Sequence, residues 1–331
     1  MSEPLHPRDS YSLDGMEAQA EAFEAALARG RLHHAWLLTG PEGAGKASFA
    51  YRVARRLLGA APAPSYGPLG SSPEDHVSRM IAARSHPDFL VLERMGEDGK
   101  VRRNIPVEEA RRLPDFFAKS PSIASYRVAI IDAADDMNVN AANAVLKTLE
   151  EPPPNGVLLL VGHAPGRLLA TIRSRCRTLS FAPWSKDRLA DFLVAREGLD
   201  RDDAMRLAAM AQGAPGRALS LHAAGALEMD AAAGLVIDQL VHADEAKLVS
   251  RADGFRGGEG AERFALLMER LAERARGVAL SGVALPRAAA WAEAWEKLLH
   301  LSAETEALNL DRADAFWSAL GELRRAARVA V

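Results

Sequence analysis

A glycine-rich segment that ends in lysine is the clearest candidate for chemistry in this sequence. The candidate residues are Gly40, Gly43, Gly45 and Lys46. An apolar run at 35–39 precedes them, and residues 46–58 follow with apolar side chains at helical spacing, which is the strand–loop–helix context of a phosphate-binding loop. Glycines let backbone N–H groups approach phosphate oxygens, and the helix N-terminus favours negative charge. The alternative is a glycine-rich turn that binds no ligand.

Two groups that ATP hydrolysis needs are missing from the sequence. Ala47 follows the lysine, where a hydroxyl would hold Mg²⁺, and Ser48 is turned away by about 100° on a helix. The apolar run 128–131 ends in Asp132, which could hold a metal-bound water shell or simply cap the strand. Ala133 then stands where an acid would orient the attacking water. We therefore predict weak or optional ATP or ADP binding without turnover, so no cofactor is required.

The elements around these residues predict an α/β domain followed by helices. Strand-like runs alternate with helical stretches as far as Pro183, which argues for a parallel sheet covered on both faces. Pro114 lies inside an otherwise helical stretch, and we expect a kink or an early stop there. The further predicted strands are 89–92, 128–131, 157–161 and 178–181. The predicted domains are 1–183 (α/β), 184–226 (a small helical lid) and 227–331 (a helical domain).

Composition narrows the possible functions. The 331 residues carry a net charge of −3 and a single cysteine, Cys176. A near-neutral chain lacks the overall basic field of a stand-alone DNA-binding protein. One cysteine excludes a disulfide framework and a cysteine zinc site within the chain. No apolar run approaches the roughly 18 residues that span a membrane, and we expect a cytoplasmic protein.

Several motifs resemble a known family. Residues 143–153 read Asn-Ala-Val-Leu-Lys-Thr-Leu-Glu-Glu-Pro-Pro, which looks like the corresponding signature of bacterial clamp-loader subunits, and 172–176 resembles their Ser-Arg-Cys motif. Segments 31–35 and 213–219 also look like this family, so the resemblance covers roughly residues 12–225. It implies an AAA+ fold with a RecA-like parallel-sheet domain, a helical lid and a helical collar that forms the oligomer.

The resemblance also implies partners and roles. It implies a five-subunit ring with motor (gamma/tau) and delta subunits of DNA polymerase III, which loads the sliding clamp onto primer-template DNA. It gives Arg175 the role of an arginine finger for a neighbouring subunit, a role that suits an always-charged guanidinium, although a surface ion pair is the simpler reading of this arginine alone. Arg217 matches the family's lid arginine. Many members bind zinc after the P-loop helix, but 59–87 contains no cysteine, so we expect that loop without the metal.

Two other functions stay open at this point. The chain could be an ATP-hydrolysing motor subunit of the same family, which Ala47 and Ala133 oppose, or an inactive AAA+ adaptor. Turnover by the isolated chain would identify a motor subunit. An effect of Arg175 on a partner's ATPase would distinguish a clamp-loader subunit from an adaptor.

Overall fold

A computed structural model of the chain describes residues 6–12, 14–30, 32–95, 102–240 and 245–329. Arg31, the first residue of the 31–35 motif, lies outside these ranges. The chain divides into two compact units, Glu3–Leu219 and Ser220–Val331. Most of the predicted lid therefore groups with the α/β part, and the three-part division stays a prediction.

The first unit is built on a five-stranded parallel sheet, as predicted. Its strands are Ala35–Thr39 (β1), Phe89–Glu93 (β2), Arg127–Asp132 (β3), Gly156–Gly162 (β4) and Arg177–Ser180 (β5). They lie in the order β2-β3-β4-β1-β5. Every residue of β1 and β4 is buried, because helices cover both faces of the sheet and leave the central strands no contact with water.

Alternating side chains of the strands divide the core into two layers. On one face, Trp36 and Leu38 of β1 pack with Phe23 and Phe49. On the other face, Leu37 belongs to a cluster with Leu113, Val145 and Ile172, which come from three different helices. This division follows from the period of two along a strand. The helices of this unit are Glu17–Ala28 (α1), Lys46–Leu57 (α2), His76–Ala82 (α3), Val107–Phe117 (α4), Val139–Glu150 (α5), Ala170–Ser174 (α6), Lys186–Glu197 (α7), Arg201–Ala211 (α8) and Pro215–Ala223 (α9).

Pro114 does not end its helix, so the expected early stop is wrong. Helix α4 continues to Phe117, and the backbone N–H of Ala118 donates to the carbonyl of Pro114 over 2.8 Å. Proline removes one helical hydrogen bond. Burial of Leu113 and Phe117 on the sheet offsets that loss, so tertiary packing prevails over local propensity here.

The second unit is helical throughout its described residues. Its helices are Ala226–Asp238 (α10), Glu245–Asp253 (α11), Gly257–Leu280 (α12), Leu285–Ala307 (α13) and Arg312–Ala327 (α14). Phe255 forms edge-to-face contacts with Phe264 and Phe316, with ring centroids 5.5 and 5.4 Å apart. Trp291 is 2% exposed and belongs to the core. Among the described helices of the chain, none is long and apolar enough to cross a membrane.

Candidate nucleotide site

The predicted phosphate-binding loop connects β1 to α2 and depends on its glycines. Gly40, Gly43 and Gly45 have φ angles of +149°, +77° and +86°, a region that other residues rarely adopt. A Cβ atom at Gly40 would lie 2.2 Å from the carbonyl oxygen of Phe181. Helix α2 begins immediately after Gly45, and its first backbone N–H groups have no preceding turn to bond to. The backbone of this loop is therefore suited to bind an anion.

Lys46 is held across the loop by backbone carbonyls. Its side-chain ammonium donates to the carbonyl oxygens of Gly40 and Pro41 over 2.6 and 2.5 Å, and the residue is only 2% exposed. Burial lowers the pKa of Lys46 to about 8, while the negative charges of Asp132 and Asp135 oppose that shift. The positive charge is thus fixed where the loop would receive phosphate.

Asp132 ends β3 in an environment that disfavours its charge. It lies opposite Glu93 of β2 in the parallel register. Burial first, and then the charge of Glu93, raise the pKa of Asp132 to about 6, although Lys46 opposes the shift. The next residue, Ala133, is buried with 3% exposure. The strand end therefore carries one carboxylate, without an adjacent acid to activate water.

Asp135 has a structural role that the sequence did not indicate. Its carboxylate accepts hydrogen bonds from the backbone N–H groups of His163 and Ala164, the latter over 3.2 Å. This contact ties the turn after β3 to the end of β4, next to the loop. Burial, and then the charge of Lys46, lower the pKa of His163, so this imidazole is neutral at pH 7. No sequence motif identifies Asp135. Its role is visible only from its position next to the phosphate loop in the fold.

The start of α9 contacts the loop directly. The backbone N–H of Gly216 donates to the carbonyl of Gly43 over 2.7 Å, and the backbone nitrogen of Arg217 lies 2.4 Å from the position of a Cβ atom added at Gly43. The structure therefore brings together Gly40, Gly43, Gly45, Lys46, Asp132 and Arg217. Met16, which the sequence analysis did not select, adjoins Gly45, since a Cβ there would lie 2.1 Å from its methyl group.

Arg175 lies at the end of the strands opposite to the phosphate loop. It precedes β5, in which Arg177 is level with Trp36 of β1, whereas the phosphate loop follows the far end of β1. Four strand positions separate the level of Arg177 from that of Gly40, about 13 Å at about 3.3 Å per residue, and Arg175 comes before Arg177. Arg175 therefore lies at the end of the strands opposite to the phosphate loop of its own chain.

The guanidinium of Arg175 makes two contacts within the chain. One terminal nitrogen donates to the carbonyl of Thr171 over 3.1 Å, and the other pairs with Glu150 at 2.9 Å. The side chain remains 37% exposed, so it is accessible to a neighbour. Burial raises the pKa of the adjacent Cys176 thiol to about 12, which leaves it protonated and unsuited to act as a nucleophile.

The site fits a phosphate better than a nucleotide–magnesium complex. The glycine backbone and Lys46 would hold phosphate oxygens, with Asp132 nearby. Ala47 offers no oxygen to a metal, and no group of three or more histidine, cysteine or acidic residues is arranged around a common metal position in the described ranges.

The fold and the site together define the class of protein. A parallel sheet with a P-loop after its first strand, followed by helices of which α9 contacts the loop, is an AAA+ arrangement. The family model described as DNA polymerase III, delta subunit, matches residues 15–185, which is more than half of the chain. The chain therefore belongs to that family, and its predicted resemblance to the delta-prime subunit is confirmed.

Individual relatives agree with this assignment. A DNA polymerase III subunit delta-prime of Pseudomonas aeruginosa is 42% identical over 143 residues, which cover 43% of this chain and 41% of that protein. A DNA polymerase III subunit gamma/tau of Mycobacterium tuberculosis is 32% identical over 202 residues, 60% of this chain and 33% of that protein. Both matches span less than two thirds of the relative. Separately from these sequence relatives, the chain is similar to the crystal structure of a DNA polymerase III gamma subunit-related protein of Thermotoga maritima, at 17% identity and a TM-score of 0.49, over 95% of this chain and all of that one.

Proposed function

We propose that the chain is the delta-prime subunit of a bacterial clamp loader and supplies Arg175 in trans to a motor subunit. The observation that carries this proposal is the position of Arg175, which is partly exposed and precedes β5 at the end of the sheet opposite to its own phosphate loop. A cation at that end of the sheet can contact the nucleotide of a neighbouring subunit. Otherwise it contacts no nucleotide. Arginine fingers supplied in trans stabilise the charge that develops on a γ-phosphoryl group.

In this proposal, the chain's own nucleotide site does not hydrolyse ATP. Ala47 lacks the hydroxyl that would hold Mg²⁺, and Ala133 lacks a carboxylate that would orient water. Loss of a positioned general base alone typically lowers a rate by about 10²–10⁴-fold. Lys46 and the glycine backbone still suit weak binding of ATP or ADP, and neither nucleotide nor zinc is required for the role proposed here.

The proposed partners follow from the family. The chain joins motor (gamma/tau) and delta subunits in a five-membered ring in the bacterial cytoplasm. The ring engages the sliding clamp and primer-template DNA. The chain's net charge of −3 is consistent with DNA contact that is shared with the other subunits rather than made by this chain alone.

A reconstituted loader tests the proposal. The loader is assembled from this chain and its motor and delta partners, and ATP turnover is measured with clamp and primed DNA. We expect Arg175→Ala to reduce hydrolysis at its one interface by about 10³-fold, and the whole ring by less. Arg173→Ala is the matched control, because Arg173 is an exposed arginine two positions away.

The isolated chain is assayed beside the loader. We expect no turnover above background, with or without Lys46→Ala. Turnover that depends on Lys46 would make the chain a motor subunit. Full loader activity with Arg175→Ala would reduce it to a scaffold or adaptor.

A further inference from the structure

The guanidinium of Arg175 is held by two partners within the chain. The Glu150 carboxylate forms an ion pair with one terminal nitrogen at 2.9 Å, and the carbonyl of Thr171 accepts a hydrogen bond from the other at 3.1 Å. The guanidinium has five N–H donors in a planar fork. These two contacts define the plane of the guanidinium. The N–H groups that they do not use can bind an anion outside the chain.

Both partners of Arg175 belong to helices that the core holds in place. Glu150 is the last residue of α5, and the preceding Leu149 is buried against the sheet with 3% exposure. Thr171 belongs to α6, where the next residue, Ile172, is fully buried. The ion pair therefore links the side chain of Arg175 to elements that do not move independently of the sheet.

Stability alone does not explain this ion pair. The side chains of Arg175 and Glu150 are 37% and 52% exposed, and solvent-exposed pairs contribute little to folding free energy. A free arginine side chain, by contrast, samples many rotamers, and restricting them before the partner arrives reduces the entropy lost on binding. The contact thus affects the orientation of the guanidinium more than the stability of the fold.

We propose that Glu150 is a positioning residue for Arg175. It holds the guanidinium so that the unused N–H groups face the nucleotide phosphate of the neighbouring subunit. This inference rests on the proposed function, because it requires Arg175 to act in trans.

A double-mutant cycle in the reconstituted loader tests the inference. The variants are Glu150→Ala, Glu150→Gln, Arg175→Ala and the Glu150→Ala/Arg175→Ala double variant. Glu151→Ala is the matched control, since it removes the neighbouring exposed carboxylate. The readouts are stimulated ATP turnover, its KM for ATP, and the melting temperature of each isolated chain.

We expect Glu150→Ala to lower turnover at the affected interface by up to about 10²-fold, the effect of a misplacement of about 1 Å. Glu150→Gln keeps the length of the side chain but removes the charge that pairs with Arg175, so it should also lower turnover. The double variant should be no slower than Arg175→Ala. Melting temperatures should change little.

The possible failures are distinct. If Arg175→Ala does not slow the loader, the proposed function fails first. If it does, but Glu150→Ala matches wild type or multiplies the defect of Arg175→Ala, the positioning role alone is wrong. Faster turnover with Glu150→Gln would also overturn the inference, since it would show that the carboxylate competes with the phosphate.

Discussion

The carbonyl of Gly43 accepts a 2.7 Å hydrogen bond from the backbone N–H of Gly216. This bond joins the phosphate loop to the first turn of α9, although the two residues are far apart in sequence. The fit is close enough that only glycine can occupy position 43, because its φ of +77° and the nearby backbone of Arg217 both exclude a side chain. The start of α9 and the phosphate loop are therefore coupled through backbone atoms.

Gly43→Ala should destabilise the first unit by more than backbone strain alone. The added Cβ would lie 2.4 Å from the nitrogen of Arg217, so the start of α9 must shift. Gly198→Ala is the control, since Gly198 has a φ of +68° and nothing within 4 Å of the added atom. We expect the control to lose about 1–2 kcal/mol of unfolding free energy and Gly43→Ala clearly more, measured by urea denaturation. Equal losses would contradict a rigid junction.

Asp132→Asn should change how stability depends on pH. The pKa of Asp132 is raised to about 6 in the folded chain, so between about pH 4 and pH 6 the native state binds more protons than the unfolded state and stability falls as pH rises. Asparagine does not titrate, so the variant lacks this loss of stability. Between about pH 4 and pH 6, the unfolding free energy of the variant should rise relative to that of wild type by at most about 3 kcal/mol. Above pH 6 the difference should stay constant.

Thermal unfolding from pH 4 to pH 7 checks this prediction. The control is Asp202→Asn, which replaces an exposed aspartate and should give a curve parallel to wild type. A curve for Asp132→Asn that is also parallel to wild type would show that burial does not raise the pKa of Asp132.

Much of the first unit could be predicted from the sequence, because its signals are local. The apolar run 35–39 forms strand β1 over the same residues. A short apolar run of this length, between polar segments, is typical of a buried strand. The positive φ angles of Gly43 and Gly45 likewise follow from a recognisable glycine pattern. Pro114 is the exception, where burial of neighbouring side chains outweighs a local helix breaker.

The contacts within the site could be predicted less well from the sequence, because they join segments that are distant along the chain. The partners of Lys46 are carbonyls of its own loop, and backbone acceptors leave no residue signature. Asp135 and Glu150 act through contacts to β4 and to Arg175 that only the strand order creates. Motif spacing therefore identified the charged groups but not what orients them.

Asp88 should be essential for the N-terminal edge of the sheet. It is fully buried, pairs with Arg127 at 3.3 Å, and accepts from the backbone N–H groups of Ser122, Ile123 and Ala124 at 2.7–3.1 Å. Asp88→Ala removes the acceptor of these three N–H groups and the carboxylate partner of Arg127, which keeps the carbonyls of Ser120 and Phe116. The variant should lower the unfolding free energy by about 3 kcal/mol. Chemical denaturation measures the loss.

Asp115→Ala is the control for this variant, because Asp115 is an exposed aspartate on α4. Its change should stay within about 0.5 kcal/mol, as is usual for surface substitutions. A comparably small change for Asp88→Ala would mean that water replaces the lost carboxylate.

Magnesium should have little influence on nucleotide binding by this chain. Ala47 lacks the hydroxyl that a P-loop uses to ligate the ion, so a titration with fluorescent ADP should give similar affinities in magnesium and in EDTA. Ala47→Thr supplies that oxygen and should make binding tighter in magnesium than in EDTA. Ala47→Val has nearly the same shape without the oxygen and should resemble wild type. Wild-type binding that requires magnesium would mean that another oxygen, such as that of Ser48, takes the metal despite its place on the helix.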